Sequence, residues 1–65
     1  MKHSTLGKFY LKLMDIYTLD LACVRDGDPP NSLAMRLACQ DMTPEETIEF
    51  LEARIAMVVA ALLRL

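Results

Sequence analysis

Eleven residues, IAMVVAALLRL from Ile55 to Leu65, close this 65-residue chain, and ten of them are apolar. A helix built from such a run is apolar on every side until Arg64, so more than one of its faces needs cover. A bilayer is one source of cover, but a spanning helix takes about 20 predominantly apolar residues. This run is shorter and follows the charged stretch PEETIEFLEAR, so no membrane association is expected. The cover must come from protein.

Length limits how much of that cover the chain itself supplies. Residues 1–65 make one helical domain, in a size range where a single core rarely contributes more than about 3–5 kcal/mol of net stability. Such domains are usually braced by a disulfide, a metal or a second subunit. Cys23 and Cys39 are the only cysteines. The opening MKHSTLGKFYLK lacks the apolar core and small-residue cleavage site of a secretory signal, so a cytoplasmic location and reduced cysteines are expected. Structural zinc takes four ligands, and two separated cysteines with the lone His3 do not provide them. No metal or cofactor is expected, which leaves oligomerisation. Hydrophobic residues make up 54% of the chain, above the roughly 45–50% of ordinary globular proteins. That excess fits a subunit with more apolar surface than its own fold covers.

Charge narrows the partners. Seven Lys and Arg against nine Asp and Glu give a net charge of −2, without the basic excess that displaces counterions from a phosphate backbone. Direct nucleic-acid binding is not expected; a protein partner is.

The pattern along the chain predicts an all-α, three-helix subunit with two longer helices and a short middle one. The first helix begins after Ser4 or Thr5, either of which can cap it, and runs to Val24 or Arg25. Leu6, Phe9, Leu13, Ile16, Tyr17 and Val24 recur at helical spacing as its core stripe, flanked by Tyr10, Met14 and Leu21. Gly7 weakens its first turn. RDGDPPN then ends it, because Asp-Gly suits a left-handed helix exit and two prolines cannot continue one. The same aspartates lack the alternating oxygen ligands and terminal Glu of a calcium loop. Asn31 or Ser32 caps a second helix over LAMRLACQ, with Leu33, Leu37 and Gln40 on one side and Met35, Ala38 and Cys39 broadening it. TPEE, from Thr43 to Glu46, is the strongest local signal. Thr43 is placed to cap the third helix, Pro44 to occupy its first position, and Glu46 to complete a capping box.

The third helix carries two stripes. Ile48, Leu51, Ile55, Val58, Val59, Leu62 and Leu65 suit the subunit core. Phe50, Ala53, Met57, Ala60, Ala61 and Arg64 lie behind, where a monomer would carry charges, and are expected to form a dimer or partner interface. Two-fold dimers are the commonest oligomers, so a homodimeric helical bundle is expected. On the first helix, Leu11 and Leu19 stand among Lys8, Lys12 and Asp15 on the polar side and offer a second partner surface. Asp20 falls inside an apolar stripe, which marks it as a buried polar group needing a partner: Arg36, Arg54, a tyrosine hydroxyl or solvent.

Catalytic signatures are missing. His3 sits near the terminus, and no nucleophile elbow, phosphate-cradling glycine loop or metal-binding helix pair occurs. No catalytic residue is therefore assigned and no enzymatic activity expected. A helix-turn-helix reading would drive PEETIE, with its three glutamates, against phosphate.

The charged start MKHSTLGKFYLK, the turn RDGDPPN and the capped hydrophobic ending together resemble, in size and character, small prophage-encoded regulators of the antirepressor type. The resemblance implies transcription regulation by protein binding: the chain would engage a DNA-binding repressor and keep it from its operator. A self-associating structural or assembly subunit is the alternative that the same features allow.

Overall fold

The computed structural model describes residues 2–65, with side chains from Thr5 onward; His3, set aside above as a catalytic group, lies outside the described side chains. Among the described residues the chain is all-helical: α1 (Lys2–Arg25), α2 (Leu33–Ala38) and α3 (Pro44–Leu63). The first helix starts a turn earlier than the Ser4 or Thr5 expected to precede it. At 1.5 Å per residue its 24 residues span about 36 Å. That length nearly accounts for the long axis of a rod measuring 39 × 18 × 18 Å. The rod is thus α1 laid alongside α3, with α2 folded across one end.

Local chemistry sets each boundary. At the end of α1, the Asp28 amide donates to the Cys23 carbonyl and the Gly27 amide to the Val24 carbonyl. Gly27 has φ +88°, a left-handed angle that a side chain disfavours. Ser32 caps α2 by accepting the Met35 amide. At the start of α3 the Thr43 hydroxyl accepts the Glu46 amide, the Glu46 carboxylate accepts the Thr43 amide, and Pro44 follows the cap. Both arms of the expected capping box are present.

The core is small: Leu21, Val24, Met35 and Leu51 are buried, and Tyr17, Ile48, Phe50 and Ile55 pack against them. Expectations about the faces of all three helices are corrected here. On α1 the side turned inward is Tyr10, Leu13, Met14, Tyr17, Leu21 and Val24, whereas Leu6, Phe9 and Ile16 are exposed. Apolar residues surround α1, and its packing against α3 selects among stripes that spacing leaves nearly equivalent. On α2 the buried residues are Met35 and Cys39, not Leu33 and Leu37. The capping geometry at Ser32 fixes which side of this short helix meets the core. On α3, Val59 is also exposed, because α1 and α2 cover only one side of the helix, and Leu65 is exposed beyond the helix end.

Candidate functional site

Asp20 is fully buried. Its Oδ1 accepts the Ser32 amide and its Oδ2 the Ser32 hydroxyl, both at 2.7 Å. The Ser32 oxygen in turn accepts the Met35 amide at 3.3 Å. The partner is thus none of those the sequence suggested, but the cap of α2, twelve residues along the chain. Helical spacing could flag the carboxylate as anomalous; it could not foresee a serine brought in by the loop. Arg36 Nε donates to the Pro30 carbonyl at 2.7 Å, a second tie between loop and α2. No buried side-chain N or O among the described residues lacks a hydrogen-bond partner, so Asp20 is a satisfied structural group.

Beside it, Cys39 is buried and free, as is the half-buried Cys23. Burial pushes the Cys39 thiol up and the nearby Asp20 carboxylate adds to this, against a lowering hydrogen bond with Thr47. A thiol held protonated is a poor nucleophile. The cleft next to it, about 440 Å³, is bounded by Asp28, Pro29, Pro30, Arg36, Met42 and Pro44, with Asp28 the one carboxylate in its lining. Among the described residues no group of three or more His, Cys, Asp or Glu could hold a metal ion, and no helix is long and apolar enough to cross a membrane.

The notable surface is apolar. A groove of about 260 Å³ runs between α1 and α3, lined by Tyr10, Leu13 and Tyr17 on one side and Arg54, Met57, Val58 and Ala61 on the other. Of the expected interface stripe, Met57 and Ala61 line the groove, while Phe50, Ala53, Ala60 and Arg64 do not. Phe50 is half-buried, with the Arg54 guanidinium 5.1 Å from its ring centroid. Ala61 is half-buried in the groove wall. Met57 is 65% exposed, and Ala53, Ala60 and Arg64 are exposed as well. Leu13, Tyr17 and Asp20 follow one another at helical spacing, so the groove and α2, which Asp20 holds, share one face of the rod. On that face α2 turns Leu33 (69% exposed) and Leu37 (59% exposed) outward.

The second expected surface, Lys8, Leu11, Lys12, Asp15 and Leu19, is exposed throughout. By spacing, Leu11 falls on the opposite side of α1 from the groove, as exposed Val59 and Leu63 do on α3. The rod therefore carries apolar side chains on two faces. Its accessible surface is 4825 Å², against about 4,200 Å² for a compact monomer of this mass. The excess is of the order that one partner contributes to a standard protein interface, about 800 Å².

Comparison with family profiles, with characterised proteins and with solved structures finds no match to the chain.

Proposed function

We propose that the protein is a non-catalytic regulator that works by protein–protein contact as a homodimeric helical bundle. One observation carries this reading: a rod only two helices thick leaves Phe9, Ile16, Leu33, Leu37 and Met57 exposed and an apolar groove open between α1 and α3. Apolar surface of that extent normally signifies a contact. The groove face, with Phe50, Ala53, Met57, Ala60, Ala61 and Arg64 along it, is assigned to self-association. The opposite side of α1, with Lys8, Leu11, Lys12, Asp15 and Leu19, is left free for a different protein. The resemblance to antirepressors supplies the partner class, a DNA-binding repressor held off its operator. Carboxylates crowd the loop end of the rod, where they oppose contact with DNA and suit the positive surface of a DNA-binding protein.

Molar mass by light scattering tests the dimer, for the native chain and for Met57→Glu. A native dimer that becomes a helical monomer in the variant is expected; a native chain that is monomeric at all concentrations overturns it. Affinity purification of the native protein then tests the partner class. A repressor that co-purifies and releases its operator in a gel-shift assay is expected. Recovery of the chain alone favours the self-associating assembly subunit, a reading to which apolar side chains on two faces also lend support.

A further inference from the structure

The two halves of the rod differ in charge. Residues 20–52, at the loop end, carry eight carboxylates and two arginines. Residues 5–19 with 53–65, at the terminal end, carry Lys8, Lys12, Arg54 and Arg64 against Asp15 alone. One end is net negative by six and the other net positive by three. The ends also differ in what they present: α2, with Leu33 and Leu37 exposed, belongs to the acidic end, while the groove is lined by residues of the basic end.

We infer that a second copy docks on the groove face in antiparallel orientation, each subunit seating Leu33 and Leu37 of its α2 in the groove of the other. This rests on the homodimer reading and specifies its geometry. Parallel docking sets α2 against α2, holds the two grooves apart, and places like-charged ends side by side. Antiparallel docking places each α2 over an open groove and each acidic end beside a basic one. It also covers the two most exposed leucines of α2, which α1 and α3 leave bare. A face 39 by 18 Å projects about 700 Å², close to the roughly 800 Å² per partner of a standard interface.

Sedimentation equilibrium on the full chain gives the test. Leu33→Gln/Leu37→Gln preserves charge and helix propensity and alters exposed positions. It is expected to raise the dimer dissociation constant at least about a hundredfold, the scale for withdrawing buried leucines from a contact. Added salt is expected to raise the constant of the native protein, because it screens an attraction between ends. Arg54→Glu/Arg64→Glu, on the groove face and away from α2, is expected to raise it too; in a parallel dimer that variant relieves repulsion and lowers it. A native dimer indifferent to the leucine changes, or one that tightens with salt or with the arginine reversals, overturns the antiparallel geometry and leaves the dimer standing. A native monomer overturns both.

Discussion

Removing the Asp20 carboxylate should cost more than any other single change in the described polar network. Its two oxygens accept from Ser32 at 2.7 Å inside a site with no solvent exposure. Hydrogen bonds to a charged group contribute about 1.5–3 kcal/mol each, and the unmade Ser32 amide bond carries its own desolvation cost. Relief of carboxylate burial offsets part of this. The net for Asp20→Ala is a loss of about 3 kcal/mol. That approaches the whole stability of a domain this small, about 3–5 kcal/mol. Asp20→Asn keeps the shape and one acceptor for the Ser32 amide, but turns a carboxamide NH2 toward an oxygen already accepting from Met35, so the Ser32 hydroxyl proton loses its acceptor. It should lose about 1 kcal/mol. Urea unfolding followed by circular dichroism measures both, and a double-mutant cycle with Ser32→Ala isolates the pair. Amide exchange at Ser32 and Met35 should accelerate before that of α1 and α3, since α2 is too short to persist undocked. The reasoning fails if Asp20→Ala lies within about 0.5 kcal/mol of the native protein, the range of an ordinary surface change.

Two further outcomes follow from single positions. Gly7→Ala should stabilise α1 by about 1 kcal/mol, and a Cβ there would meet Leu65 Cδ1 at 3.8 Å, an ordinary contact; a melting temperature lower than that of the native chain would contradict it. Cys39 should react with a thiol reagent far more slowly than Cys23 at neutral pH, because burial first and Asp20 second hold its thiol protonated. Its pKa is raised on folding, so its contribution to stability is fully present below the ordinary thiol value of 9.0 and is lost as pH rises through the folded value. Cys39→Ser should flatten that alkaline loss in a pH series of unfolding curves, and an unchanged slope would exclude the thiol as its source.

What the sequence disclosed was whatever neighbours in the chain decide between themselves. The capping box at Thr43 and Glu46 and the left-handed exit at Gly27 close within a few residues, and both appear as expected. Face selection is a tertiary matter and was harder. Phe9, Leu13, Ile16 and Tyr17 lie on overlapping stripes of α1, and only the position of α3 determines that Leu13 and Tyr17 turn inward while Phe9 and Ile16 do not. On α2 spacing groups Leu33, Leu37 and Gln40 on one side, with Met35, Ala38 and Cys39 broadening it, and does not decide which of them turns inward. Met35 and Cys39 do so, since the Ser32 cap and its Asp20 anchor set the rotation of the helix. The exposed alanines and Met57 on α3 were legible as a surface lacking charge; the groove beside them, which needs α1 for its other wall, was not.

The buried carboxylate and the exposed leucines belong to one design. Six residues of helix have little stability of their own, and an apolar anchor alone would let α2 slide or rotate over the end of the rod. Asp20 accepts from both the backbone and the side chain of Ser32, a two-point attachment that fixes direction as well as position. With Met35 and Cys39 held inward, Leu33 and Leu37 are committed outward. An ionised group in a core rarely adds stability over a well-packed apolar one, and the best-attested reason to keep it is that it fixes one arrangement among several. Here the arrangement fixed is that of α2, whose Leu33 and Leu37 are exposed. Asp20→Asn should therefore weaken dimerisation more than its modest effect on unfolding would suggest, while Gly7→Ala, which strengthens α1 without touching α2, should leave dimer orientation and its salt dependence unchanged.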